Sequence, residues 1–110
     1  MITVTSFHDR NHRMIGFSVM GHAGCGEYGE DLVCAGVSAI VQTAILGISD
    51  VLHLKADISI NEGDTVCILN REVRESDLQN AEIVFKTMNA GLESIASAYP
   101  KTLKFRSKEV

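Results

Sequence analysis

The chain has 110 residues, of which 45% are hydrophobic, and its formal net charge is −4. A chain of this length builds one hydrophobic core, so we expect a single domain over residues 1–110 that gains stability from a subunit partner. Nucleic-acid binders usually carry a basic surface with aromatic residues between the charges. The basic cluster here lies at the C-terminal end, between Lys101 and Lys108. We interpret it as a solvated strand and tail, and we expect no direct nucleic-acid partner.

The N-terminus and the cysteine count favour the cytoplasm. Residues Met1–Thr5 are followed by a charged run, whereas a signal peptide continues into an apolar core. The cysteines, Cys25, Cys34 and Cys67, are odd in number, which argues for reduced thiols and against a disulfide scaffold. The longest apolar stretch, Leu32–Leu52, is interrupted by polar residues, so we predict a buried helix and no membrane span.

The first half of the chain predicts a β-hairpin, a loop and a helix. Ile2–Phe7 is rich in residues that favour strands, and the polar run Asp9–Arg13 predicts a turn. Apolar and small residues alternate over 15–20, which predicts a second strand with one buried face. The glycine-rich loop Gly21–Asp31 follows, and then a helix over Leu32–Leu52 that is apolar on nearly all sides, as expected for a buried helix. Asp31, just before that helix, is the predicted N-cap.

The second half predicts another hairpin, a second helix and a last strand. Alternating apolar residues at 58–60 and 66–68 flank the turn Asn61–Asp64. Ser76 and Gln79 form a capping-box pattern at the start of a helix that Pro100 ends. Thr102–Arg106 predicts the last strand. The order ββαββαβ indicates an α+β domain with two helices packed on one face of a mainly antiparallel sheet.

Cys34 is the first residue with catalytic potential. It lies near the predicted start of the first helix, where the positive end of the helix dipole stabilises a thiolate. Cys34, Ser38 and Gln42 are spaced by four and therefore share one helix face, which we expect to face a cleft. Taken alone, Cys34 could equally be a small buried hydrophobic residue.

His22 strengthens the catalytic interpretation of Cys34. It ends the second strand, while Cys34 begins the helix on the other side of the same loop, so the two side chains can lie close together. A cysteine within hydrogen-bond reach of a histidine is the signature of an activated nucleophile. Taken alone, His22 would be interpreted as a surface histidine.

Other residues near the pair are candidates for supporting roles. Asp31 either caps the helix or orients His22 as the third member of a triad. The backbone amides of Ala35 and Gly36 are candidates for an oxyanion hole. The glycines of the loop suggest a lid that orders on substrate binding, in which Tyr28 either contacts a substrate side chain or packs on the core.

A metal site is not expected from the remaining thiols. His22, Cys25 and Cys34 resemble part of a zinc site, but no second short-spaced ligand pair is present in the sequence. Cys67 alternates with apolar residues in a strand and is interpreted as a packed side chain. No cofactor is predicted.

The segments Gly21–Ala23, Gly26–Asp31 and Val33–Ser38 resemble the signature of the ribosomal-processing cysteine proteases, the Prp family. The chain resembles that family in length and element order over all its residues. The resemblance implies a bacterial, cytosolic, homodimeric endopeptidase that removes a short N-terminal extension from large-subunit ribosomal protein twenty-seven, cutting after an aromatic residue.

The resemblance also assigns residues. It implies Cys34 as nucleophile and His22 as general base, with Asp31 in a supporting role and Ser38 at a family position one turn along the same face. Cys25 lies at a position without a counterpart in the motif, and we hypothesise a reversible disulfide with Cys34 under oxidation.

Two alternatives remain from the sequence. One is a ribosome-associated binding module that carries a reactive thiol but cleaves nothing. The other is a thiol-transfer protein that uses Cys25 and Cys34, although these are not arranged as C-x-x-C.

Overall fold

A computed structural model describes residues 1–22 and 30–110 of the chain, with the backbone alone for residues 30 and 31. The elements follow the predicted order ββαββαβ. A five-residue π-helical segment continues the first helix. The bounds are β1 Ile2–His8, β2 Met14–Met20, α1 Glu30–Leu46, the π-helical segment Gly47–Val51, β3 Ala56–Asn61, β4 Asp64–Leu69, α2 Glu75–Ala98 and β5 Leu103–Glu109.

All five strands form one sheet in the order β3-β4-β2-β1-β5. The pairings β1–β2, β2–β4 and β3–β4 are antiparallel, and β1 and β5 are parallel. The predicted α+β fold with a mainly antiparallel sheet is therefore confirmed. The predicted turn between β1 and β2 is held by Asp9, whose carboxylate accepts hydrogen bonds from the backbone N–H groups of Asn11 and Arg13.

The core lies between the sheet and the two helices. Phe17 of β2 and Phe85 of α2 are both fully buried, and their rings meet edge to face with centroids 5.8 Å apart. This geometry is the one that the aromatic quadrupole favours. The contact joins α2 to the central strand of the sheet. The buried apolar residues of α2 recur at the predicted helical spacing, as Ala81, Phe85, Met88 and Leu92.

The first helix is only partly buried, whereas its apolar composition predicted a buried helix. Its buried residues form one stripe, which includes Val33, Val37 and Val41, while Leu32 is 62% exposed and Leu46 is 52% exposed. A single layer of two helices on one sheet can cover only the helix face that looks inward. The outer face of α1 is therefore apolar but uncovered in the single chain.

The stretch Leu32–Val51 has a mean hydropathy of 1.9, and by length and composition alone it passes the test for a membrane span. Core helices of soluble proteins pass the same test. Because its inner stripe packs against the sheet and α2, we interpret it as a core helix of a folded domain.

Two predicted helix starts differ from the structure. The first helix begins at Glu30, so Asp31 is a residue of the first turn and does not occupy the N-cap position. The second begins at Glu75 after Arg74, which makes no side-chain cap hydrogen bond. The capping box expected at Ser76 is therefore absent. Acidic residues in that first turn, Glu75 and Asp77, favour the helix start through the dipole instead.

Candidate active site

The backbone around His22 is held by two neighbouring segments. Gly21 has φ +97°, a conformation that side chains larger than glycine rarely adopt, and the carbonyl oxygen of Met1 lies 2.5 Å from the position of a Cβ there. The Gly21 N–H also donates a 2.9 Å hydrogen bond to the carbonyl of Gly63 in the β3–β4 turn. The backbone after β2 is thus held between Met1 and Gly63. This placement limits the positions that the exposed imidazole of His22 can reach.

Cys34 lies in the second turn of α1, close to the helix start, and is half-buried. The predicted stripe of Cys34, Ser38 and Gln42 faces a cleft, as the spacing of four requires. This prediction is confirmed. The same cleft is lined by Val19, Gly21 and His22 at the end of β2.

A cleft of about 440 Å³ brings Cys34 and His22 together. This volume lies in the range of small-ligand pockets. Its lining comes from helix α1, from the start of β1 and the end of β2, and from the β3–β4 hairpin. The lining residues are Ile2, Val19, Gly21, His22, Cys34, Val37, Ser38, Val41, Gln42, Ile60, Asn61, Glu62, Gly63, Asp64 and Thr65.

The cleft is lined partly by apolar side chains and partly by acidic ones. Val37, Val41 and Ile60 supply apolar surface, whereas Glu62 and Asp64 supply negative charge at the hairpin. A thiol and an imidazole that line one cleft are the minimum set for nucleophilic attack with proton transfer. The cleft can therefore act on a bound chain that places a carbonyl group beside Cys34.

Two of the residues predicted at the site do not line the cleft. The position of a Cβ on Gly36 lies 3.3 Å from the Ile95 side chain, so Gly36 faces α2. Ala35 is exposed on α1 outside the cleft. In a helix that begins at Glu30, the amides of both residues lie in the second turn and donate to carbonyls four residues earlier. They are therefore not the open donors that an oxyanion hole needs.

For three other residues predicted at the site the structure describes no side chain. Tyr28 and Cys25, together with the lid expected from the glycine loop, fall on residues 23–29, and for Asp31 the side chain is not described. The roles of Tyr28, Cys25 and the lid stay predictions, and so does the role of Asp31 in orienting His22. Within residues 1–22 and 30–110, no group of three or more His, Cys, Asp or Glu is placed to hold a metal ion.

Sequence reasoning missed the contribution of the β3–β4 hairpin. Residues 61–64 were interpreted only as a turn, yet Asn61, Glu62, Gly63 and Asp64 all line the cleft. Nothing in their local pattern distinguishes them from any four-residue turn. Their place beside His22 follows from the pairing of β4 with β2, in which Met20 lies opposite Asp64.

Cys67 is fully buried in β4 among core residues, as expected from its alternation with apolar neighbours. Burial disfavours the thiolate and raises the pKa of the Cys67 thiol to about 11, from 9.0 for an exposed thiol. Since only the thiolate is a good nucleophile, Cys67 is inert near neutral pH. It therefore offers a matched control for Cys34.

The raised pKa of Cys67 predicts a loss of stability in alkali. The folded protein holds this proton more tightly than the unfolded chain, so the stabilisation is complete below pH 9 and is lost as the pH rises from about 9 to about 11. Between pH 8 and pH 10.5 we expect the free energy of unfolding to fall by about 2 kcal/mol more in the wild type than in Cys67→Ala. Urea unfolding of both proteins at the two pH values measures this difference. An equal fall in both would contradict it.

Over nearly all of its length the chain is similar to proteins named as cysteine proteases. The family model described as cysteine protease Prp matches residues 1–104. The ribosomal processing cysteine protease Prp of Staphylococcus aureus strain Mu50 is 28% identical over 110 residues, which cover 98% of this chain and 100% of that protein.

Two crystal structures of the essential ribosomal processing protease Prp from S. aureus have the same fold. One, in complex with a covalently linked product peptide, superposes with a TM-score of 0.81 at 26% identity. The other, in complex with a substrate peptide, gives 0.82 at 25% identity. Each comparison covers 98% of this chain and 100% of the other.

Proposed function

The chain belongs to the family of cysteine protease Prp, and from this premise we propose that it removes a short N-terminal extension from large-subunit ribosomal protein twenty-seven, with Cys34 as nucleophile and His22 as general base. The observation that carries the proposal is that Cys34 and His22 line the same cleft. The cytoplasm is the proposed location.

The proposed reaction proceeds in two halves. His22 takes the proton of the Cys34 thiol, and the sulfur attacks the carbonyl carbon of the scissile peptide bond. The tetrahedral intermediate collapses when His22 returns the proton to the leaving nitrogen, which departs as an amine and leaves a thioester on Cys34. A water molecule, deprotonated by His22, then attacks the thioester, and the thiol leaves with that proton while the new carboxylic acid is released.

The two surfaces of the cleft support a peptide of mixed character. Apolar side chains along α1 and the end of β3 can contact an apolar or aromatic substrate side chain, since such contacts dominate small-ligand pockets. Glu62 and Asp64 place negative charge at the hairpin, which favours basic residues elsewhere in the peptide. The N-terminal region of a ribosomal protein, which must approach RNA, is a source of such residues.

A synthetic peptide that spans the proposed extension tests the substrate. We expect one cut, after an aromatic residue, detected by mass spectrometry. A control peptide with the same composition in scrambled order is expected to remain intact. Binding of the intended peptide without cleavage would favour the alternative of a ribosome-associated binding module, and neither binding nor cleavage would exclude this substrate.

We also propose that the protein is a homodimer. The outer faces of α1 and α2 enclose an apolar groove of about 520 Å³. Ile83, which lines this groove, is 58% exposed. Apolar surface that is contiguous and uncovered in a single chain is typical of subunit contacts. A second copy is the occupant that this proposal assigns to it.

A single charge in the groove is expected to separate the proposed dimer. Ile83→Glu should shift the protein from dimer to monomer in sedimentation equilibrium, because an unpaired carboxylate would be buried at the contact. Ser97→Glu adds the same charge on an exposed position of α2 outside the groove and is expected to leave the dimer intact. A wild-type protein that is monomeric at all concentrations would overturn the proposal.

A further inference from the structure

The imidazole of His22 lies against the β3–β4 turn, next to Gly63, the glycine of that turn. If Gly63 carried a Cβ, that atom would be 2.7 Å from Nε2 of His22, 3.2 Å from Cε1 and 3.5 Å from Cδ2. Carbon and nitrogen atoms that are not bonded approach each other to about 3.5 Å at their optimal separation. The ring of His22 therefore occupies space that any side chain at position 63 would need.

The same turn also holds the backbone that leads to His22. The carbonyl of Gly63 accepts the hydrogen bond from the Gly21 N–H, at 2.9 Å. Met20 pairs with Asp64 in the neighbouring ladder, so the turn and the end of β2 stay in register. One residue thus supports both the backbone before His22 and the ring of His22 itself.

The position of the ring depends on this support because the His22 side chain is otherwise exposed. An exposed side chain samples several rotamers, and only some of them direct the imidazole across the cleft toward α1. A methyl group at position 63 would meet the end of a mobile side chain and not the backbone, so the ring would move and the turn would stay.

We propose that Gly63 is a positioning residue for proton transfer between His22 and Cys34, because the space left by its missing side chain holds the imidazole in the cleft. The proposal rests on the proposed function, in which His22 activates Cys34. It adds the β3–β4 turn to the residues that determine catalytic rate, although the turn itself touches no reacting atom.

A purely structural role makes a different prediction. Gly63 has φ +71°, a conformation in which glycine is favoured for backbone reasons alone. Asparagine also tolerates this conformation, whereas alanine does so poorly. If the backbone alone mattered, Gly63→Asn would retain activity and Gly63→Ala would lose it. If the space for the imidazole matters, both variants lose activity, because both carry a Cβ.

The experiment compares wild type, Gly63→Ala, Gly63→Asn and His22→Ala, with His12→Val as a control for strain. His12 has φ 64° in the exposed β1–β2 turn, at the opposite end of the hairpin from the cleft, and a β-branched residue there strains the backbone without approaching His22. Thermal unfolding by circular dichroism establishes that each variant folds. Gly63→Asn keeps the test valid if Gly63→Ala does not fold.

The first readout is kcat/KM on the peptide substrate. We expect His22→Ala to lose about 10²- to 10⁴-fold, the range of general acid–base catalysis. Both Gly63 variants should lose roughly tenfold or more, mainly in kcat. His12→Val should stay within about twofold of the wild type.

The second readout is the rate of Cys34 alkylation by iodoacetamide at pH 6.5 and pH 9.5, assigned to Cys34 by peptide mass mapping. Only the thiolate reacts, and an imidazolium nearby raises its fraction at the lower pH. The other charged groups of the cleft, Glu62 and Asp64, are unchanged in every variant. We expect both Gly63 variants to react several-fold more slowly than wild type at pH 6.5 and about equally at pH 9.5.

The outcomes separate this inference from the proposed function. If His22→Ala reduces both readouts while the folded Gly63 variants match the wild type, the positioning role is overturned and the catalytic pair stands. If Gly63→Asn matches the wild type and Gly63→Ala does not, the role of Gly63 is limited to the backbone, and the inference is also overturned. If His22→Ala itself changes neither readout, the proposed function fails first.

Discussion

Replacing Cys34 by alanine is expected to abolish peptide cleavage, with a loss in kcat/KM of at least about 10⁴-fold. In the proposed reaction the sulfur of Cys34 is the protein atom that attacks the substrate carbonyl carbon, and no other thiol lines the described part of the cleft. Cys34→Ser should be nearly as inactive, because a hydroxyl is far harder to ionise than a thiol. Mass spectrometry of the peptide after incubation with each variant measures the effect.

Cys67→Ala is the matched control for the Cys34 variants. It also removes one thiol, but from a fully buried position in β4 outside the cleft. We expect activity within about twofold of the wild type. Cleavage that persists in Cys34→Ala, or that is lost equally in Cys67→Ala with the fold intact, would contradict the assignment of the nucleophile.

Replacing His22 by alanine is expected to lower kcat about 10²- to 10⁴-fold with little change in KM. The imidazole moves protons in the transition state and contributes little to binding of the ground state, so the loss should appear in turnover. Steady-state kinetics on the peptide substrate separate the two parameters. Added imidazole should restore part of the activity, because the exposed position of His22 leaves room for a small base.

His12→Ala provides the control for His22→Ala. His12 is exposed in the β1–β2 turn, away from the cleft, and its removal changes the histidine content equally. It is expected to leave kcat unchanged. If His22→Ala retained the turnover of the wild type, another group would have to take the proton from Cys34, and the pair described above would not be the catalytic one.

Much of the fold was predicted because its signals are local. Alternation of apolar residues in β2 and the spacing of apolar residues in α2 each reflect one buried face, which a short window of sequence reveals. The expectation of a buried first helix holds for one of its faces only. Apolar composition on all sides does not say which sides are covered, and the structure covers only the stripe that includes Val33, Val37 and Val41.

The pair proposed for catalysis was also within reach of the sequence. His22 follows β2 and Cys34 lies in the second turn of α1, on either side of one loop, so chain connectivity alone suggests that they lie near each other. The spacing of Cys34, Ser38 and Gln42 predicted which face of α1 looks into the cleft, and the structure confirms it. The helix starts were predicted less well. The predicted starts differ from the observed ones by one or two residues, and the start of a helix determines which of its backbone N–H groups are left open.

The sequence by itself therefore determined the element order, the helix face that meets the cleft and the two residues proposed for chemistry, because each depends on neighbours in the chain. Only the tertiary structure decided what surrounds them. The turn that carries Glu62 and Gly63 lies beside His22 because β4 pairs with β2, although about forty residues separate them along the chain. Strand order is set by the packing of the whole sheet. The local sequence of a four-residue turn therefore does not predict which strand end will lie beside it.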